Sequence, residues 1–283
     1  MITDIETNFV YFSSLIKENL KYKLFWNRLR KSLDKENIDY GFINGTRDIW
    51  CRDYMPIQLS KNNFVQFKFF PDYYLSPDFI HKLTIPSETV ISMEFYKSFS
   101  KLIIDGGNII KYQNRVILTD KIFKENPEYF KSEIISQLKI DLKIDTINII
   151  PAEKEEISGH ADGMVKIFAE NELLVGDYSN QDKHWKSIYY KSLKETGYNL
   201  ISFPSAFIEE KNDDGDYTAI GCYINFVQIG NKILLPFFNL AEDIIVEKQM
   251  KKLYPDCKII PIESNEIAQD GGVLNCITWN IQL

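Results

Sequence analysis

One cysteine, one histidine and three aspartates stand apart in this chain, because each sits in a short stretch bracketed by glycines or set beside an aromatic residue. Cys276 follows Gly271-Gly272-Val273-Leu274-Asn275, an entry flexible enough for a ligand or another backbone to come close. His160 and Asp162 lie in Gly159-His160-Ala161-Asp162-Gly163, two apart, so on an extended chain their side chains share a face. Asp53 ends the run Asp48-Ile49-Trp50-Cys51-Arg52-Asp53, and Asp105 opens Asp105-Gly106-Gly107-Asn108. Taken singly, each has a bland reading: a buried thiol, a turn histidine, an ion pair of Arg52 with a loop carboxylate, a plain turn. Taken together they offer a thiol nucleophile, an imidazole acid and base, and three carboxylates. Anions raise a thiol's pKa and hinder attack on an amide, so this company suits a cationic substrate. A guanidinium fits best, being planar, carrying forked N–H donors that pair with carboxylates, and presenting a carbon that a thiolate can attack. Its charge would also help to ionise the thiol.

Such distant residues need a scaffold that gathers them. Asp53, Asp105 and Asp162 are 52 and 57 residues apart, and each stands at or just before the start of a strand-like run. From Asp162 the order is strand, turn, strand, helix (182 to 197) and strand (199 to 203). The same order recurs from Ala219 and from Ile104 to Ile150, and Tyr54 to Ile91 fits with a shorter helix near Asp78 to Leu83. A further unit appears if the last strand (Val273 to Ile281, with Cys276 inside it) is followed in space by Phe9 to Phe12, the first helix, and Tyr40 to Ile43. The expectation is an α/β ring of five ββαβ units, pseudo-symmetric and propeller-like, in which equivalent positions meet near one axis. Helices are expected where Ile16, Leu20, Leu24, Phe25, Leu29 and Leu33 share a face, after Asn126-Pro127 with Phe130, Ile134 and Leu138 buried, and after Asp182 with Trp185, Ile188, Tyr189 and Leu193 inward.

At 45% hydrophobic residues the chain can bury a large core, and its net charge of −7 without basic tracts speaks against nucleic acid. Apolar runs are too short for a bilayer span, and the first thirty residues lack a signal peptide's pattern, so a cytoplasmic protein is expected. Its four cysteines form no CxxC pair, which indicates neither a zinc site nor a disulfide framework. Cys51 is expected to face away from its neighbours Trp50 and Arg52, and Cys222 and Cys257 to be structural.

Five stretches, in order from about residue 44 to 281, resemble the agmatine deiminase/peptidyl-arginine deiminase family of guanidine-modifying five-bladed propellers, the penteins. They are Asp48-x-Trp50-x-Arg52-Asp53, Asp105-Gly-Gly-Asn108, Gly159-His160-x-Asp162, Tyr223-Ile-Asn-Phe226 with Leu234-Leu-Pro236, and Gly271-Gly-x-x-x-Cys276-Ile-Thr278. The resemblance implies a single catalytic domain over residues 1–283 and hydrolysis of a cationic alkylguanidine, agmatine foremost, to a ureido product and ammonia. It implies Cys276 as nucleophile on the guanidinium carbon and His160 as the group that protonates departing ammonia and then activates water. Asp53 and Asp162 resemble the pair that grips the guanidinium nitrogens, Trp50 the aromatic against the substrate's stem, and Asp105 the residue that orients the histidine. No metal or organic cofactor is implied, and the partner implied is a small-molecule cationic guanidine substrate. Arginine or peptidyl-arginine deimination, amidino transfer on the same fold, and guanidinium binding without turnover remain alternatives. The chain departs from the family in having Asp105 for the usual Glu and Asn275 where a His commonly precedes the cysteine, and in lacking a tryptophan-rich segment ahead of its first strand. Glu209, Glu210, Asp213, Asp214 and Asp216 crowd one loop, either as a solvated surface or as a lid receiving a second positive charge.

Overall fold

Five patches of β-branched and aromatic residues, each holding a hairpin and a crossover, become five three-stranded sheets of one topology. The computed structural model describes residues 1–283 apart from Ser92, Glu155, Ile208, Glu209, Asp213 and Asp214. Strand β1 (Phe9–Ser13) crosses through the one-turn helix α1 (Leu15–Glu18) and α2 (Lys23–Lys35) to the parallel strand β2 (Asp39–Ile43). After the one-turn helix α3 (Cys51–Tyr54) come the hairpin β3 (Ile57–Ser60) and β4 (Asn63–Lys68), then the parallel β5 (Tyr96–Ile103). The next sheet is β6 (Ile110–Tyr112) and β7 (Arg115–Thr119), crossing through α4 (Lys121–Glu125) and α5 (Lys131–Leu142) to β8 (Thr146–Ile150). Then follow β9 (Val165–Ala169), β10 (Glu172–Gly176), α6 (Lys183–Glu195) and β11 (Asn199–Phe203). The chain continues with β12 (Val227–Ile229), β13 (Lys232–Phe237), α7 (Glu242–Leu253) and β14 (Lys258–Glu263). A one-turn helix, α8 (Asn265–Ala268), leads to the final strand, β15 (Trp279–Ile281), which pairs antiparallel with β1 in the register Phe9↔Ile281, Val10↔Asn280 and Tyr11↔Trp279. The first blade is therefore assembled from both ends of the chain.

Each helix lays an apolar stripe on its sheet. Phe25, Trp26, Leu29 and Leu33 bury one side of α2, and Trp185, Tyr189 and Leu193 one side of α6, where the Trp185 and Tyr189 rings stack at 4.8 Å. The Asp182 side chain caps α6 by accepting from the His184 and Trp185 amides at 3.1 and 2.9 Å, which satisfies donors the helix itself cannot. Ile188, expected inward, lies on the exposed side instead. Leu20 is 80% exposed and Leu24 68%, because a 3-10 turn at Leu20–Tyr22 breaks the first helical run and rotates these residues away from the shared face. Asn126 caps the C-terminal end of α4 rather than opening the next helix: it is fully buried, its side-chain amide joins Ile103 to the Ile122 carbonyl, and α5 starts after an exposed Phe130. Between β4 and β5, where a short helix was expected, the crossover is a string of 3-10 turns (Asp72–Tyr74, Ile80–Lys82, Pro86–Glu88), and the third strand of that unit starts at Tyr96, beyond Ile91. Among the described residues no helix is long and apolar enough to cross a membrane.

Candidate active site

A tight turn precedes the first strand of every blade, and these turns carry the chemistry-bearing residues. Asp53 lies in α3, Asp105 caps the 3-10 turn Gly106–Asn108, and His160 caps the 3-10 turn Ala161–Gly163 that contains Asp162. Cys276 sits in the turn at 274–277 ahead of β15, not within a strand as its sequence suggested, since the polar and glycine-rich entry turns before the ladder begins. Likewise His160 and Asp162 are brought together by a 3-10 turn rather than by a shared strand face.

The side chains converge on one small polar space. His160 Nε2 meets Asp105 Oδ2 at 2.8 Å, while Nδ1 faces Asp53 Oδ1 at 3.6 Å. The amide of Gly107 donates to Asp53 Oδ1 at 2.9 Å, and a methyl group on Gly107 would lie 2.7 Å from both Asp53 Oδ1 and His160 Nδ1 and 3.3 Å from Asp162 Oδ2. That spot is surrounded by two carboxylates and an imidazole, and only glycine leaves it open. The Cys276 thiol lies 3.7 Å from Asp162 Oδ2 and donates at 3.4 Å to Asn225 Oδ1. Trp50 is partly exposed, with its ring packed over Gly272 so closely that a methyl group there would fall 2.4 Å from it.

Burial and like charge set the protonation states. Desolvation, with Asp105 and Asp162 nearby, pushes Asp53 up to about 7 against the pull of His160. Burial alone would lower His160, but Asp53 and the hydrogen bond to Asp105 outweigh it and lift the imidazole to about 10. Burial and then the charges of Asp162 and Asp53 hold the Cys276 thiol well above its ordinary range. Near neutral pH the free site therefore holds a protonated thiol and an imidazolium.

Several residues of the site were not singled out from the sequence. Asn225 occupies the turn before β12, and its Oδ1 accepts from the amides of Asn275 and Cys276 as well as from the thiol. Asn275 Nδ2 donates to Asp162 Oδ2 at 2.7 Å. The signal for Asn225 was its spacing, 63 residues after Asp162 and 51 before Cys276, which continues the repeat. Among the described residues Arg52 makes no ion pair with a neighbouring loop carboxylate: its backbone amide donates to the Cys276 carbonyl, Nε to the Asn275 carbonyl and Nη2 to Asn280 Oδ1, pinning the cysteine turn. Cys51 is buried with its thiol directed at the Ile277 carbonyl, away from the site. Of the acidic loop, Glu209, Asp213 and Asp214 lie outside the described residues. No group of three or more His, Cys, Asp or Glu side chains among the described residues is arranged to hold a metal ion.

Comparison with known proteins agrees with this picture. The family model for Porphyromonas-type peptidyl-arginine deiminase matches residues 2–281. A Latilactobacillus sakei protein named "Putative agmatine deiminase" is 26% identical over 206 residues, covering 63% of this chain and 55% of its own length. The chain thus spans about half the length of that relative. The solved structure of agmatine deiminase from C. jejuni superposes with a TM-score of 0.79 at 18% identity, over 100% of this chain and 95% of the other. A dimethylarginine dimethylaminohydrolase from Pseudomonas aeruginosa superposes at 0.57 with 8% identity over 97% and 99%. The fold is the five-bladed pentein fold.

Proposed function

The chain belongs to the Porphyromonas-type peptidyl-arginine deiminase family, and from that premise we propose that it is a guanidine iminohydrolase, with agmatine as its foremost substrate. The observation that carries the reading is the convergence of the Cys276 thiol, the Nδ1 face of His160 and the carboxylates of Asp53 and Asp162 on one space closed by Gly107. A binding site would need the carboxylates but neither the thiol nor the imidazole. We take residues 1–283 as one catalytic domain, since both chain ends share a blade.

In this mechanism Asp53 and Asp162 accept N–H donors from the guanidinium, while Trp50 packs along its aliphatic stem. The entering cation stabilises the thiolate, and the thiol proton leaves to solvent. Cys276 Sγ then forms a bond to the guanidinium carbon. Imidazolium Nδ1 of His160, held by Asp105 on its far side, protonates one terminal nitrogen, so the C–N bond breaks and ammonia departs from a covalent thiouronium. The now neutral Nδ1 takes a proton from water as its oxygen attacks the same carbon. Collapse breaks the C–S bond, returning the thiolate and releasing the ureido product and a proton.

The test is ammonia release and ureido product from agmatine, free arginine, an arginyl peptide and methylarginines, with wild type beside Cys276→Ala. The expected result is turnover of agmatine that falls below detection in the variant. Turnover confined to arginine or the peptide would reassign the substrate; turnover that survives Cys276→Ala would sink the covalent route; silence across the panel with a guanidinium still bound would favour a binding-only relative.

A further inference from the structure

Behind the imidazole lies a second buried cluster that the mechanism above leaves without a role. Lys121, the first residue of α4, has its ammonium 3.1 Å from Asp72, 3.3 Å from Glu125 and 3.9 Å from Asp105 Oδ2, with 6% of the side chain exposed. The same Asp105 Oδ2 accepts from His160 Nε2 at 2.8 Å and from the Tyr73 hydroxyl at 3.2 Å, while among the described residues the buried Asp105 Oδ1 has no hydrogen-bond partner and the buried Glu125 Oε1 meets only the Lys121 ammonium. The lysine ammonium also lies 4.5 Å above the Tyr73 ring, and the stem of Lys121 packs at 3.4 Å from where a side chain on Gly159 would start. Gly159 holds a φ of +61° there, a conformation that favours glycine, and a methyl group on it would also meet Ala152 Cβ at 3.3 Å.

We propose that Lys121, anchored by its hydrogen bond to Asp72, is a positioning residue that holds the Asp105 carboxylate on His160 and offsets its charge, so that Nδ1 can release a proton to the leaving nitrogen. Asp105 is a methylene shorter than a glutamate and reaches the imidazole through a single oxygen, which leaves its orientation to Tyr73 and Lys121. Charge makes the same point. His160 faces Asp53 from α3, Asp105 from the turn before β6, Asp162 from its own turn and Glu156 through its backbone amide, and Asp72 and Glu125 lie behind. Four carboxyl groups, Asp53, Asp105, Asp162 and Glu125, are thus buried around it. Within this cluster Lys121 is the cation that weakens the hold of the carboxylates on the imidazolium proton. Burial, with Asp105 next, pushes Glu125 itself up to about 8, which limits how far it cancels the lysine near neutral pH.

The kinetic arm of the test rests on the deiminase reading; the spectroscopic arm does not. In unliganded protein, 15N NMR follows the titration of His160, identified by its loss in His160→Asn; the chain has only 3 histidines, so the spectrum is readable. Lys121→Met is expected to raise the His160 midpoint by about one pH unit, and Lys121→Arg, which keeps the charge, to stay within about half a unit. For agmatine, Lys121→Met is expected to lower kcat about tenfold and to move the alkaline limb of the profile up by the same unit, while binding in a Cys276→Ala background changes less than about threefold; Lys121→Arg should recover most of kcat. A folded Lys121→Met with an unmoved His160 titration overturns the proposal, as does a full-unit shift in Lys121→Arg. A moved titration without turnover of any guanidine would overturn the deiminase reading and leave the positioning pair standing.

Discussion

An ionised Asp53 is costly in the free site, because it loses water and faces Asp105 and Asp162, and only His160 and the amide of Gly107 pull the other way. A guanidinium bound as proposed would change that balance by adding a positive charge beside Asp53. Since the carboxyl is raised to about 7, the folded protein binds a proton there that the unfolded chain has released; the stability due to this group therefore declines as pH rises from about 4 to about 7. For His160 the raised imidazole contributes stability that is complete below about 6.5 and is lost as pH climbs through about 10. Binding runs the opposite way from the Asp53 stability effect: a cation wants the ionised carboxylate. Calorimetry of agmatine on Cys276→Ala is expected to show affinity rising about 25-fold from pH 5.5 to 7.5 and then levelling, with the rise gone in Asp53→Asn. A flat profile would mean that Asp53 is already ionised in the free protein or does not touch the ligand.

At the scale of elements, the turns at blade entrances matter more than the strands they precede. The sequence pointed to strands for Cys276 and for the His160–Asp162 pair, because glycine-flanked apolar residues there look continuous with the ladders that follow. Backbone turns stop short of those ladders and aim the side chains at the axis. Helix signals were read well where a polar cap and an apolar period agreed, as at Asp182, and poorly where one periodic run concealed a break, as at Leu20–Tyr22. The Asp182 cap gives a prediction remote from the chemistry. Asp182→Ala should cost about 1 kcal/mol, seen as a lower Tm in thermal melts, with kcat/KM for agmatine unchanged. A variant that lost activity in step with stability would place α6 closer to the site than its cap geometry does.

For the whole molecule, closure is the decisive event. Trp279 of β15 is buried among Tyr11, Phe64 and Phe95, and its indole N–H donates to the Pro56 carbonyl at 2.8 Å, so one residue near the C-terminal end ties β1 to the second blade. The turn carrying Cys276 lies immediately before it. Trp279→Ala is therefore expected to cost about 3–5 kcal/mol in denaturant unfolding and to lower turnover beyond the unfolded fraction, because the turn carrying Cys276 loses its downstream anchor. Turnover per folded molecule equal to wild type would show that Arg52 and Asn225 hold that turn unaided.

What the sequence determined by itself was a set of candidate residues, their order and the repeat that makes them equivalent: the side chains of Cys276, His160, Asp53, Asp105 and Asp162 lie together, and Trp50 packs on Gly272 in the run that leads to Cys276. Residue type and spacing carry that information, because a fivefold arrangement turns sequence distance into position around an axis. Tertiary structure alone decided which nitrogen of His160 faces Asp53, that among the described residues Arg52 binds carbonyls and Asn280 rather than a neighbouring carboxylate, and that Asn225 lies against Cys276 and Lys121 against Asp105. Hydrogen-bond direction and the pairing of buried charges depend on ångström-scale packing between blades distant in the chain, and no local pattern of residues encodes it.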